Sequence, residues 1–335
     1  MLRTRLYYRI KPLVPASIRL AIRRWFALRK REQVRDTWPI MPGSERPPEG
    51  WPGWPEGKQF ALVLTHDVEG PAGLEKVRPL AELEMKLGFR SSFNLIPEGR
   101  YTVPLALRTW LADHGFEVGV HDLRHDGWLY RSREDFARNA SRINQYLKDW
   151  GAVGFRSGFM LHNLDWLHDL NIQYDASTFD TDPFEPQPDG VGTIFPFWVP
   201  RSAESAVKPR LSTINHSGGY VELPYTLVQD STLLLLLGER HPDIWFQKLD
   251  WIACYGGMAL VNVHPDYLRF DGEPISARTS AVEPYAGFLE YLRERYAPSF
   301  WHALPKEVAA FAQRAFCTPG QSPPHRPEPA SKAVR

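Results

Sequence analysis

Cysteine is nearly absent from this chain of 335 residues, which contains only Cys254 and Cys317. Two cysteines without a Cys-x-x-Cys pair give no disulfide framework, and we expect residence in the cytoplasm. Long apolar runs are also missing, since a run such as STLLLLLG at 231–238 falls well short of the roughly 18 residues that a membrane span needs. The first residues contain no uninterrupted hydrophobic segment, so we expect no secretory signal.

Net charge is low as well, at +1, so charge alone does not indicate a polyanion binder, and we expect no nucleic-acid partner. The charge is unevenly placed, however. Residues 1–35 contain eleven Arg and Lys and one Glu, which gives +10. Because the whole chain carries +1, the remaining 300 residues carry −9. The basic residues are therefore concentrated in an N-terminal arm.

Composition divides the chain into three regions: an arm and linker at 1–58, a folded domain at 59–317 and a disordered tail at 318–335. Within the arm, residues 17–31 place Ile18, Ile22, Trp25 and Leu28 at helical spacing among basic residues. A basic amphipathic helix of this kind fits peripheral contact with an anionic membrane. Packing on its own domain and an ordinary solvated face are the alternatives. Residues 36–58 are rich in Pro and Trp and predict an extended linker that can lie on the domain surface through its tryptophans.

Strand and helix patterns alternate through the folded domain. Strands are predicted at 59–65, 89–96, 116–121, 152–157, 172–177 and 258–264. Helices are predicted at 74–88, 103–115, 132–151, 242–255, 281–296 and 304–315. Repeated units of this kind indicate an α/β fold with a parallel sheet, open or closed into a barrel. The oligomeric state cannot be read from the sequence.

Polar residues follow several of the predicted strands, where reactive groups gather in α/β folds. These residues are Asp67, Glu69, His121, His125, Arg156, Asp175 and His264. His121 and His125 are four residues apart, which spans about 13 Å in a strand but brings them to about 6 Å in a helical turn. We therefore predict a turn or short helix at 121–125.

Two imidazoles and one carboxylate form a divalent metal site with open positions for water and substrate. Zinc is the favoured ion, and Fe, Co, Ni and Mn also suit this ligand set. Asp67 and Glu69 lie on one side of an extended segment, about 6–7 Å apart. One would bind the ion while the other acts as general base on a water acidified by the ion. The residues alone leave open which carboxylate does which.

Four segments, taken in order, resemble the motifs of the polysaccharide deacetylase (NodB-like) family. They are LTHDVEG at 64–70, EVGVHDLRHDG at 117–127, GFRSG at 154–158 and LVNVHPD at 260–266. The resemblance spans about residues 59–270. It implies a distorted (β/α)7 barrel and a metal-dependent hydrolase that removes acetyl groups from N-acetylated sugars.

The resemblance also implies roles for individual residues. Asp67 matches the catalytic base, His264 the catalytic acid and Arg156 the arginine that orients the base. His121 and His125 match the metal ligands. The usual second Asp of the family is Val68 here. A subgroup of the family has Asp-x-Asp or Asp-x-Glu in this motif and binds the metal through the later acid. The resemblance therefore implies that Glu69 is the metal ligand.

Other positions depart from the family pattern or stay open. The Ser/Thr after the first histidine is Asp122, and the proline of the arginine motif is Gly158. Trp128 is a candidate for stacking on a sugar ring. Asp175 is a candidate substrate-binding residue. The acids that compete to be the partner of His264 are Asp175, Asp180 and Asp182.

Two other functions fit the same residues. One is an amidase that acts on a non-sugar compound such as a cyclic ureide. The other is a catalytically silent glycan-binding or scaffold protein. Metal content and acetate release distinguish these hypotheses from the deacetylase.

Overall fold

The computed structural model describes residues 16–201 and 218–316, with side chains from residue 21 onward. The first part of the arm, Cys317 and the predicted tail at 318–335 lie outside the described residues. Among the described residues, no helix combines the length and hydropathy needed to cross a membrane.

Within residues 16–201 and 218–316, eight strands build a parallel sheet, and a ninth joins it in antiparallel orientation. The strands are β1 Phe60–Val68, β2 Ser92–Leu95, β3 Glu117–His121, β4 Gly154–Arg156, β5 Tyr174–Asp175, β6 Phe197–Pro200, β7 Gly219–Glu222, β8 Met258–Asn262 and β11 Phe300–His302. Two short strands, β9 Leu268–Arg269 and β10 Ser280–Ala281, pair separately.

The sheet curls into a distorted barrel. The order β1-β2-β3-β4-β5-β7 is continuous, and β8 pairs with the other side of β1. Parallel bridges from Tyr225 to Phe179 and from Leu227 to Val261 close the gap between β5 and β8. The α/β class and the (β/α)7 type of barrel are therefore confirmed.

In the part of the chain that the structure describes, seven α-helices surround or precede the barrel. They are α1 Ala16–Gln33, α2 Pro71–Leu87, α3 Leu105–Asp113, α4 Arg133–Trp150, α5 Asp243–Tyr255, α6 Glu283–Tyr296 and α7 Pro305–Phe316. Most lie within a few residues of their predicted bounds. In α4, Ser132 caps the first turn by accepting the N–H of Asp135, and Gly151 ends the helix in the left-handed conformation.

Alternation along β1 separates two buried layers. Phe60, Leu62 and Leu64 pack under α2, α5 and α6, whereas Ala61 and Val63 belong to a second cluster that includes Leu260 of β8 and residues of α7. Because the side chains of a strand alternate between its two faces, Asp67 continues the layer of Ala61 and Val63. His66 then lies on the helix-facing side, where its Nε2 contacts Glu84 of α2 at 2.8 Å.

The linker is folded onto the barrel rather than extended into solvent. Trp38 and Trp54 are buried, and the indole N–H of Trp54 donates to the carbonyl of Gly256 at 2.7 Å. Trp51 and Trp54 pack edge to face, with ring centroids 4.9 Å apart. Five observed strands, β6, β7, β9, β10 and β11, were not predicted from the sequence.

Candidate active site

A cavity of about 640 Å³ opens where the strands end. Asp67 and Glu69 reach it from the end of β1, His121 from the end of β3, His125 from the following turn, and His264 from the segment after β8. Five residues that are far apart in the sequence therefore meet at one edge of the barrel, as expected for neighbouring parallel strands.

Glu69, His121 and His125 form a group that could hold a metal ion. Their ligand atoms all lie within 4.8 Å of one another. Nε2 of His125 is 3.4 Å from Oε1 of Glu69. The Nε2 atoms of both histidines are buried and have no hydrogen-bond partner. Buried nitrogens without a partner are costly, and a shared cation would satisfy both.

The segment 121–125 is a turn and not a helix. Asp122 and His125 adopt positive φ angles of 55° and 54°. The Asp122 carboxylate stabilises this conformation by accepting the N–H groups of Leu123 at 2.5 Å and Gly158 at 3.3 Å. The two imidazole centroids consequently lie 4.9 Å apart. This spacing matches the prediction that the chain turns at this point.

The surroundings favour metal-binding forms of both imidazoles. Nδ1 of His121 lies 3.1 Å from the carbonyl oxygen of Arg156 and donates to it, and in the neutral ring with this tautomer Nε2 has the lone pair that binds a metal. Burial and the neighbouring His121 lower the pKa of His125, so its ring is neutral near pH 7. A neutral imidazole is the form that binds a metal.

Glu69 is positioned by residues of the segment 265–267. Its carboxylate accepts a hydrogen bond from the hydroxyl of Tyr267. Its backbone N–H donates to Asp266 at 2.8 Å. Burial alone would raise the pKa of Glu69, yet the facing imidazoles of His264 and His125 lower it. The carboxylate is therefore an oriented anion directed at the two histidines.

Asp67 is held as an anion by three donors. Asn94 donates to Oδ1 at 2.8 Å, Asn262 donates to Oδ2 at 2.8 Å, and Nη1 of Arg156 lies 3.4 Å from Oδ1. Burial raises the pKa of this carboxyl, but Arg156 and the nearby histidines outweigh it and hold the pKa well below its usual range. An anion stabilised in this way accepts a proton only from an acidic donor.

Arg156 supports the site from below and is fully buried. Its Nη1 donates to the hydroxyl of Thr65 at 2.8 Å, and its Nε donates to the carbonyl of Ala176 at 2.7 Å. The guanidinium is thus held next to the Asp67 carboxylate, and its role in orienting a catalytic base stays a prediction.

His264 forms an ion pair with Asp230. Its Nδ1 lies 2.6 Å from Oδ1 of Asp230, whose other oxygen accepts the His264 backbone N–H at 3.0 Å. Burial would lower the pKa of His264, but the Asp230 carboxylate raises it to about 10. Nε2 is directed towards the cavity, 3.9 Å from Oε1 of Glu69. His264 is therefore a cation at neutral pH with a proton available at Nε2.

Comparison with known proteins identifies the fold. No family model and no curated protein matches the sequence. A solved structure from Mycobacterium smegmatis, provisionally described as a polysaccharide deacetylase, matches 81% of this chain and 95% of its own, with a TM-score of 0.57 and 16% identity. The chain has the polysaccharide deacetylase fold.

Other deacetylase structures show a more distant similarity. The Xyl-CE4 domain of a multidomain xylanase from the hindgut metagenome of Trinervitermes trinervoides matches 80% of this chain and 94% of its own, with a TM-score of 0.43 and 12% identity. The peptidoglycan deacetylase PdaC from Bacillus subtilis matches 78% and 94%, with a TM-score of 0.42 and 11% identity.

The three acids that the sequence suggested as partners of His264 lie elsewhere in this deacetylase fold. Asp175 is buried and accepts the hydroxyl of Ser177 at 2.8 Å. Asp180 forms a buried ion pair with Lys248 at 2.5 Å. Asp182 accepts the hydroxyl of Tyr225 at 2.8 Å. These predictions were wrong, because the partner comes from a segment after β7 that has no strand pattern. Asp175 is also absent from the cavity lining, and its role in substrate binding stays a prediction.

Trp128 does not line the cavity either. Its indole is 57% exposed, and the guanidinium of Arg131 lies over it at 5.4 Å. Phe159, in contrast, is an aromatic residue of the cavity wall. It is 45% exposed, and its ring centroid lies 4.4 Å from that of His125. The turn at 121–127 directs Trp128 outward, and loop conformation of this kind cannot be read from composition.

Sequence reasoning also missed several supporting residues. Asn94 and Asn262 lie in buried strands, and a polar amide inside an apolar strand was the available signal. Asp266 and Tyr267 directly follow the motif that contains His264. Asp230 had no comparable signal.

Proposed function

We propose that this protein is a metal-dependent N-deacetylase that acts on an N-acetylated sugar or polysaccharide. The observation that carries the proposal is the pair of unpartnered Nε2 atoms of His121 and His125 facing Glu69, beside an anionic Asp67 and a cationic His264. Amide hydrolysis needs a proton acceptor for water and a proton donor for the leaving nitrogen. This site contains both.

Glu69, His121 and His125 would hold a divalent ion. Their two nitrogens and one carboxylate oxygen suit zinc, and iron, cobalt, nickel or manganese are compatible. When bound, such an ion supplies a Lewis acid that acidifies water and stabilises negative charge on the carbonyl oxygen. A water acidified by a bound ion would allow Asp67 to act as the base despite its lowered pKa.

Side chains of the protein carry out the two proton transfers. Asp67 accepts the proton of the water that attacks the acetyl carbon. Asn94, Asn262 and Arg156 keep its carboxylate oriented during this transfer. His264 then donates its Nε2 proton to the departing amine, while Asp230 stabilises the imidazolium beforehand.

Acetate release and metal content test the proposal together. The protein, loaded with each of the five candidate ions, would be incubated with a panel of N-acetylated sugars and with cyclic ureides. We expect acetate from at least one sugar, loss of activity on chelation and recovery when the ion is returned. Ureide hydrolysis without acetate release would assign the amidase instead. A protein that binds an ion yet hydrolyses neither class would have a binding role.

Cytoplasmic residence, suggested by the low cysteine content, stays a prediction. Fractionation of cells that express the full chain with a fluorescent tag measures it.

A further inference from the structure

Helix α1 is docked on the barrel by its polar side. Nε of Arg24 donates to the carbonyl of Leu235 at 2.9 Å, and Nη1 of Arg31 forms an ion pair with Glu239 at 2.6 Å. Between them, Ala27 is the buried contact residue. The apolar residues that normally attach an amphipathic helix to its domain are not used for this purpose.

Those apolar residues face outward instead. Ile22, Trp25 and Phe26 are 50%, 49% and 61% exposed, and their i, i+3, i+4 spacing places them on one side of the helix. Together with Ala21 they line a shallow apolar depression. We call these four residues the outer face of α1. Soluble proteins rarely leave contiguous apolar side chains exposed unless another surface covers them.

Charge identifies the kind of surface that would cover the outer face. The guanidinium of Arg29 lies 4.0 Å above the ring of Trp25, and Arg23 is exposed next to Ile22. Residues 1–35 carry a net charge of +10. Exposed Trp and Phe flanked by Arg and Lys match the interface of an anionic bilayer, where aromatic rings insert and basic groups meet lipid phosphates.

The outer face adjoins the active-site cavity. Arg23 of α1 lines that cavity, together with Leu235 and Leu236 of the segment on which α1 is docked. Ile275, which is 88% exposed, directly precedes residues 276–278 on the cavity wall. Docking of α1 on a membrane would therefore bring the mouth of the cavity to the lipid surface.

We propose that the outer face of α1 docks on an anionic bilayer and presents the cavity to an N-acetylated sugar attached to a lipid. The docking is inferred from the surface of α1 alone, whereas the substrate class rests on the proposed deacetylase function. The sugar would enter the cavity while its lipid stays in the membrane.

Vesicle flotation of the full chain tests the docking. The vesicles would contain phosphatidylcholine with or without phosphatidylglycerol. The variant Trp25→Ser/Phe26→Ser removes the two aromatic side chains. Tyr255→Ser is the matched control, because Tyr255 is also 50% exposed but lies before the amino end of β8, at the opposite edge of the barrel. We expect the double variant to lose at least about tenfold in binding to anionic vesicles, with no change in the control.

Several results would overturn the docking. They are failure of the wild type to float with anionic vesicles, equal binding by the double variant, or a wild-type oligomer that the double variant converts to monomer without any vesicle binding. Thermal unfolding of each variant verifies that it is folded. Because the substituted side chains are exposed, we expect unchanged unfolding temperatures.

Activity on a glycolipid tests the proposed substrate class separately from the proposed deacetylase function. Acetate release would be measured from an N-acetylglucosamine glycolipid in anionic vesicles and from a soluble N-acetylated oligosaccharide. We expect the double variant to lose at least about tenfold on the glycolipid only. Equal rates for wild type and double variant on the glycolipid would overturn the substrate class. If the wild type releases acetate from neither, the deacetylase proposal fails, while flotation still decides the docking.

Discussion

The two halves of the candidate site differ in how completely their polar atoms are satisfied. In the first half, the Asp67 carboxylate and Nδ1 of His264 have protein partners: Asn94, Asn262 and Arg156 for the carboxylate, Asp230 for the imidazole. Around Glu69, the Nε2 atoms of His121 and His125 are buried and have no hydrogen-bond partner. The Asp67 carboxylate is already surrounded by donors, whereas the Glu69 half leaves two imidazole nitrogens that could bind a cation.

This difference separates the roles of the two carboxylates from β1. A carboxylate surrounded by hydrogen-bond donors is oriented for proton transfer, whereas a carboxylate beside two free imidazole nitrogens is oriented to complete a metal site. Asp67 belongs to the first environment and Glu69 to the second. Substitutions in each half should therefore have distinct signatures.

The largest effect is expected from substitutions in the group of Glu69, His121 and His125. His121→Ala removes one of three ligands and should reduce activity by at least about a thousandfold, together with loss of the ion. Acetate release and metal content measure both. His114→Ala is the matched control, because His114 is exposed and remote from the cavity. Full activity of His121→Ala would show that this imidazole is not a ligand.

Asp67→Asn should keep the ion and lose the base. We expect a decrease in kcat of about 10²–10⁴, because an amide cannot accept the proton from water. Metal analysis alongside steady-state kinetics distinguishes this result from a binding defect. Loss of the ion in Asp67→Asn would instead assign metal binding to Asp67 and exchange the roles of the two carboxylates.

Asp230→Asn should move the pH profile. His264 must be protonated to act as an acid, and the Asp230 carboxylate raises its pKa to about 10. Without this carboxylate the pKa of His264 falls, so the alkaline limb of kcat/KM should move to lower pH by at least about one unit. At pH 6 the loss should be smaller than at pH 9. An unchanged alkaline limb would exclude His264 as the titrating acid.

The smallest effect is expected from Tyr267→Phe. This change removes the hydroxyl that donates to Glu69 and leaves all three ligands in place. Affinity for the ion should fall by about tenfold, while kcat at saturating metal stays near the wild-type value. Titration with a competing chelator measures the affinity. A large decrease in kcat at saturating metal would place the Tyr267 hydroxyl in the reaction itself.

The parallel fold explains which site residues could be predicted from sequence. Asp67, His121 and His264 lie at or just after the ends of strands with clear apolar patterns, and such ends converge at one edge. Asp230 follows no such strand, and it is brought to His264 by the segment that closes the barrel between β5 and β8. The position of Trp128 outside the cavity lining could not be predicted, because it depends on the positive φ angles of Asp122 and His125 in the preceding turn.

Metal stoichiometry tests whether Glu69, His121 and His125 together hold a divalent ion. The wild type, Glu69→Gln and His125→Ala would each be equilibrated with zinc, dialysed and analysed by elemental mass spectrometry. If these three residues share the ion, we expect about one ion per wild-type chain and a large loss in both variants. A wild-type protein that retains no zinc, iron, cobalt, nickel or manganese would contradict it, as would variants that bind the ion as tightly as the wild type.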